Sequence, residues 1–515
     1  MTEAADHADT DIADIATAAA HSAEPPVITG PPPLWPHQAA AIEEALKRKR
    51  YALFFDAGTG KTRTAIEVLR RAGTKRKVLI LAPLNVVRNW ERELIKAELP
   101  HYAYIVAGQS KTKKLGIMEA FRASSLDDGW RSKLDAAHIL LCNIECVRSL
   151  RRKVPNSNGR RGPEKSDYLA LLWRTAADFI IVDESHNFKG HDSAQTKGLL
   201  ELVDKLSPKY LLLLTGTPAP QGEMDLWSTM HLMGLTDEPF FIWRKKWFTD
   251  ANAKWSNQPK WFPKYVISEV NRQKLRAELS RVSMTAAKDA VLELPPLLRS
   301  SLYCEMSPEQ TKHYDTMEDY LFAIDSEGNE LNASNVLART LRLQQILAGY
   351  LGDVPIKNNP RLEALDAAID KCPGQFLVWT IFKATYREIA DVMARRGISY
   401  GFLTGEQSQL ERETAMEAFR NGELRCLICH PRAGGVGVNL VEADTSIVYT
   451  RGYSLTDDLQ LEARNYRGGS EMHKRITRID IITAGTIDEE IVEALREKKT
   501  VQDFVLGLKN RKKEE

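Results

Sequence analysis

Seven short apolar runs punctuate the chain, each ending in polar or glycine-rich residues: KVLILAP (77–83), AHILLCN (137–143), DFIIVDES (178–185), YLLLLTGT (210–217), FLVWT (376–380), LRCLICHP (424–431) and TSIVYT (445–450). Runs this short, apolar throughout rather than alternating, predict strands buried on both faces. Between them lie segments with helical periodicity, such as TRTAIEVLRRAG (62–73) and KATYREIADVMARRG (383–397). Strand and helix in alternation predict an α/β fold with parallel sheets covered on both sides. In such sheets ligands gather beyond the carboxyl ends of the strands, where the polar residues of these runs fall.

The alternation comes in two blocks, 50–220 and 375–485, so the expectation is two parallel-sheet lobes in tandem. The first would span 34–298 and carry an insertion, helical in pattern and rich in aromatic and basic residues, over 236–298 (PFFIWRKKWF, AKWSNQPKWFPKY). The second would span 299–505 and open with a helical segment over 299–360. VPNSNGRRGPEKSD (154–167) reads as a polar loop within the first lobe. Residues 1–33, biased to Ala, Asp and Pro, read as a disordered tail, and 506–515 as a charged one.

Composition narrows the picture. A chain of 515 residues is too long for one core, and 43% hydrophobic with 27% charged residues describes an ordinary globular protein. No apolar stretch approaches the ~20 residues of a spanning helix, and the amino terminus carries acids where a targeting peptide would be basic. The expectation is a cytoplasmic protein that does not enter a membrane. With 71 basic and 69 acidic residues the net charge is +2, so any site for a polyanion must be local. The six cysteines lack the spacing of a disulfide scaffold. Cys426-x-x-Cys429-His430 spells a haem-attachment pattern, but it lies inside an apolar run and reads as core thiols.

AGTGKT (57–62) follows an apolar run and precedes a helical pattern. Gly58 and Gly60, with Thr59 between them, let the backbone turn its N–H groups inward; Lys61 reaches β and γ phosphates; the Thr62 hydroxyl suits Mg²⁺ at a helix amino terminus. Phe55 occupies the place of the first glycine in the general pattern, so the match is incomplete. IIVDESH supplies the complementary carboxylates at the end of another buried strand: Asp183 to hold Mg²⁺ and Glu184 to polarise an attacking water.

DAGTGKT, DESH, LTGTP (214–218), PRAGGVGVNLVEAD (431–444) and QLEARNYRGG (460–469) stand in the order found in superfamily 2 helicase-like ATPases. The RAGG form and LELPPLLRSSLYCEMSPEQTKHYDTM (292–317) resemble the Swi/Snf-type branch, and the resemblance runs over 34–500. It implies two RecA-like lobes, ATP with Mg²⁺, and double-stranded DNA as the track. Gln38 in LWPHQ, with Trp35 nearby, would sense adenine; Thr215 and Thr217 would couple hydrolysis to movement. Gln460, Arg464 and Arg467, at helical spacing, match the motif that closes over the nucleotide. Arg467 resembles the arginine finger, and Arg464 competes for that role. Gly468-Gly469-Ser470 replaces the family's Ile-Gly-Gln, and Ala57 and Thr59 replace its methionine and leucine.

Such motors hold phosphates through backbone N–H groups and short polar side chains, which needs no basic composition. Candidate contacts at strand ends are Pro83, Leu84 and Asn85 in the first lobe and Lys383, Thr404, Gly405, Arg432 and Gly434 in the second. The clusters at 243–247 and 254–264 serve equally as a further duplex surface or as packing within the insertion. Three functions follow: a translocase on duplex DNA, a strand-separating helicase on DNA or RNA, and a non-catalytic scaffold. Intact Lys61, Asp183, Glu184 and Arg467 argue against the third.

Overall fold

The structure, a computed structural model, describes residues 33–84, 86–124, 136–148, 167–253, 264–326, 333–352, 354–432 and 438–506. Asn85, Gly434, both tails, the loop 154–166 and residues 254–263 therefore lie outside the described residues. Of two compact units, the second runs over Leu292–Thr500, so it begins seven residues earlier than the 298/299 boundary read from the sequence.

In the first unit the strands are β1 (Arg50–Phe55), β2 (Lys77–Ala82), β3 (His101–Ile105), β4 (Ala137–Asn143), β5 (Phe179–Asp183), β6 (Tyr210–Leu214), the hairpin β7 (Phe248–Asp250) and β8 (Tyr265–Ile267), and β9 (Ser283–Ala286). Seven of them form one sheet in the order β3-β4-β2-β5-β6-β1-β9, parallel throughout. Every residue of β4, β5 and β6 is buried, as their unbroken apolar runs require. The insertion departs from a purely helical one. It contains helices Phe240–Trp247 and Glu269–Ser280 and the β7–β8 hairpin, and it ends in β9, which adds to the sheet beside β1. Trp243, fully buried, and Phe248 pack into the first unit's core, while Phe241 and Ile242 are each 57% exposed.

The second unit begins with β10 (Leu297–Cys304), then carries the hairpin β11 (Tyr350–Leu351) and β12 (Val354–Pro355), followed by β13 (Gln375–Trp379), β14 (Tyr400–Leu403), β15 (Cys426–Cys429), β16 (Ala443–Val448) and β17 (Ile476–Thr483). Its sheet runs β10-β17-β16-β13-β15-β14, again parallel. Because β10 is its edge strand, the 299–360 segment is not helical from its start; helices Pro308–Ser326 and Ala333–Leu347 follow. Along β13 the two faces fill different cores: Phe376 and Val378 join Ile389 and Met393, while Leu377 and Trp379 join Phe419 and Leu403. Cys426 and Cys429 are wholly buried on β15, where burial pushes both thiols up, so they are core residues. Among the described residues, no helix is long and apolar enough to cross a membrane.

Candidate active site

In a parallel sheet all carboxyl ends open on one edge, and the order β5-β6-β1 brings three of the quoted motifs side by side there. The loop after β1 turns through Gly58 (φ 88°) and Gly60 (φ 84°) into the helix Lys61–Ala72. Gly60 suits both its left-handed backbone and its neighbour: a Cβ there would fall 2.0 Å from Gln38 Nε2, so any other residue is strained and displaces the Gln38 amide. The Lys61 ammonium folds back over the loop, donating to Phe55 O (2.7 Å) and Asp56 O (3.2 Å). Asp56 is held in turn by the end of β9 and the residues just after it, its N–H donating to Ala286 O (2.9 Å) and its Oδ2 accepting from Lys288 N (3.0 Å). Thr59 is fully buried and its hydroxyl donates to Asp56 O (2.8 Å), so that side chain closes the turn instead of facing a ligand. Thr62 is half-buried in the first turn of the helix, beside N–H groups that lack intrahelical partners.

Gln38 is buried against this loop, its Oε1 accepting from Trp35 N (2.9 Å), and His37 Nε2 donates to Thr59 O (2.9 Å). Trp35 stays 38% exposed.

At the end of β5, Asp183 accepts two hydrogen bonds, from Trp90 Nε1 to Oδ2 (2.8 Å) and from Glu184 N to Oδ1 (2.9 Å). Glu184 adopts φ 47°, a left-handed conformation costly for a residue with a side chain. His186 Nδ1 lies 3.3 Å from Glu184 Oε2, 3.0 Å from Thr215 Oγ1 and 3.3 Å from Thr217 Oγ1. This links the β5 carboxylate to the buried end of β6, where Thr217 N also donates to Thr215 Oγ1 (3.0 Å). Gly216 permits the crowding, since a Cβ on it would sit 3.2 Å from Phe55 O at the end of β1.

In the second unit Gln460 lies half-buried on the helix Leu455–Glu462, but that helix stops before Arg464 and Arg467. The helical spacing read from the sequence therefore does not hold across the three. Leu440 N donates to Arg464 O (3.0 Å) and Asn465 Nδ2 to Ala443 O (3.2 Å), drawing the chain into a turn on the neighbouring strand. Arg464 is buried, its Nη1 donating to Val438 O (3.4 Å), whereas Arg467 is only half-buried.

The candidate track residues follow strand ends as expected: Pro83 and exposed Leu84 after β2, Lys383 after β13, Thr404 and Gly405 after β14, Arg432 after β15. Thr404 is an exception as a contact. It is fully buried, and its hydroxyl donates to Gln407 Oε1 (2.6 Å) while accepting from Glu406 N (3.3 Å). The two cations carry carboxylate partners, Lys383 with Glu406 and Arg432 with Asp457 (2.9 Å).

Residues 37–351 match the SNF2-related domain, and 360–469 match the helicase conserved C-terminal domain. The chain belongs to the SNF2-related family. Among its relatives, the CHD3-type chromatin-remodeling factor CHR7 of Arabidopsis thaliana is 26% identical over 484 residues, covering 90% of this chain and 36% of that protein. An uncharacterized ATP-dependent helicase of Mycoplasma pneumoniae is 25% identical over 459 residues, 86% of this chain and 39% of its own. Human chromodomain-helicase-DNA-binding protein 1 is 24% identical over 477 residues, 88% and 25%. The chain thus spans well under half the length of these relatives. A solved Sulfolobus solfataricus SWI2/SNF2 ATPase core in complex with dsDNA is 21% identical and covers 95% of each chain, at a TM-score of 0.38.

In this SNF2-related chain the residues at β1 and β5 fit a magnesium nucleotide. Burial, with the Glu184 charge beside it, pushes the Asp183 carboxyl up to about 6, against the opposing pull of Trp90 and Lys61. A buried carboxylate with a threonine hydroxyl is the hard oxygen set that Mg²⁺ takes. Among the described residues no three His, Cys, Asp or Glu side chains form a metal cage. Sequence reasoning missed Trp90 and His37. Trp90 looks like one apolar position of an amphipathic helix, and nothing local ties it to a carboxylate 93 residues away.

Proposed function

We propose that the protein is an ATP-hydrolysing motor that translocates on double-stranded DNA and remodels protein–DNA or branched DNA complexes. The observation that carries this reading is the convergence of Lys61, Asp183 with Glu184, and the Thr215–Thr217 pair on adjacent strand ends, in a chain with both halves of the SNF2-related architecture. Gln38 contacts adenine; the N–H groups of 58–62 and Lys61 take the phosphates. Thr62 and Asp183 would hold Mg²⁺, which would neutralise charge on the phosphates. Glu184 orients and polarises the attacking water, and its link through His186 to Thr215 and Thr217 passes the nucleotide state to the end of β6. Arg467 supplies positive charge to the transition state, a role worth about 10³–10⁵ in rate, with Arg464 the alternative. The names of the relatives, chromatin-remodelling factors and a DNA-binding protein among them, support DNA as the track.

The test compares ATP turnover without nucleic acid and with single-stranded, duplex and forked DNA and RNA, then triplex displacement against fork unwinding at one salt concentration, with Lys61→Ala as the blank. Duplex DNA should stimulate hydrolysis in a length-dependent way, and the third strand of a triplex should be displaced. Efficient fork unwinding without triplex displacement replaces the translocase by the helicase.

A further inference from the structure

Behind the helix Leu455–Glu462 lies a charge cluster that the site described above does not use. Arg478, on β17 with a side chain only 5% exposed, donates through Nη2 to Asp458 Oδ1 (2.6 Å), through Nη1 to Asp458 Oδ2 (3.2 Å) and Glu462 Oε2 (3.3 Å), and through Nε to Asp480 Oδ1 (2.9 Å). Arg451 also meets Asp480 (2.6 Å), and Arg299 on β10 meets Glu462 (2.8 Å). Three cations thus balance three carboxylates, which is what makes burying them tolerable.

Asp458 and Glu462 are one turn apart and face the sheet together. Gln460, two residues from each and about 200° around the helix from Asp458, is turned to the other side. A helix of eight residues is not stable alone; buried Leu455 and Leu461 seat it, but apolar contacts are non-directional. A guanidinium gripped by Asp480 on its own strand, with both Nη groups on the helix, fixes rotation and height at once. The turn that carries Arg464 and Arg467 starts one residue beyond Glu462.

We infer that Arg478 is a positioning residue: it clamps the helix Leu455–Glu462 to β17 and so sets the pose of Gln460 and of the arginine-bearing turn. The rate consequence rests on the hydrolysis reading above; the structural consequence does not.

The test uses the full chain with Arg478→Lys, which keeps the charge but not the fork, and Asp458→Asn, which removes the charge and the two-pronged acceptor of the stronger of the two helix contacts. Amide exchange over 463–470 should quicken about tenfold in both, with the first unit unchanged. ATP turnover should fall roughly 10- to 100-fold at unchanged KM, and the double variant should be no worse than the poorer single one. Two outcomes overturn the inference: wild-type exchange and turnover in both folded variants, or exchange quickened evenly through the second unit. If Arg478→Lys fails to fold, Asp458→Asn decides alone. A wild-type protein with no Lys61-dependent hydrolysis overturns the hydrolysis reading, and the exchange pattern still decides the clamp.

Discussion

Lys61 and Glu184 serve the same nucleotide in different ways, so their loss should be told apart by binding. Lys61→Ala removes the ammonium that bridges Phe55 O and Asp56 O and would bridge phosphates; hydrolysis should vanish and ATP affinity should drop. Glu184→Gln keeps the cradle, so hydrolysis should vanish while ATP stays bound, and a nucleotide-retention assay separates the two. Arg467→Ala should bind ATP nearly normally and lose most stimulated turnover, because a transition-state contact acts on kcat; a pure KM effect would remove Arg467 from the chemistry. These residues were legible because their chemistry is local: glycine, lysine and threonine within one loop, two carboxylates closing one strand. Thr404 misled for the same reason. A hydroxyl at a strand end looks available in sequence, and only the folded backbone shows Gln407 Oε1 taking it.

Most strands flanked on both sides were read correctly because their apolar runs are unbroken; β17, between β10 and β16, was not, because Thr477, Arg478 and Asp480 interrupt its run. Those at or near sheet edges, β3, β9, β10 and β14, escaped notice since half-exposed residues interrupt their pattern. The insertion shows the same ambiguity within one helix. Trp243 packs in the core beside Phe248, while its neighbour Phe241 faces solvent with Arg244 lying 5.2 Å from its ring. Trp243→Ala should cost about 3–5 kcal/mol of the first unit's stability in urea. Phe241→Ala should stay within about 0.5 kcal/mol. Should Phe241→Ala also weaken duplex binding at unchanged stability, the exposed edge of this helix belongs to the track; unchanged binding leaves it as a surface feature of the insertion.

Each unit has its own sheet and its own core, so thermal unfolding of the whole chain should resolve into two transitions. ATP at about 100 times its Kd adds about 2.7 kcal/mol to whichever unit holds it; calorimetry should show that shift in one transition only, and Lys61→Ala should reduce it. A single transition moving as a whole would mean that the units unfold together. The sheet order of the first unit also bears on how the protein is made. β1, the strand that presents the phosphate loop, is bracketed by β6 and β9, which leave the ribosome about 155 and about 230 residues later. At about 5–20 residues per second, Tyr51–Phe55 waits roughly 10–50 s for its second neighbour. During that interval an apolar strand is open to wrong partners, and ATP offers no protection because its cradle does not yet exist. Slower synthesis between β1 and β9 therefore lowers the yield of folded protein while leaving its final stability untouched.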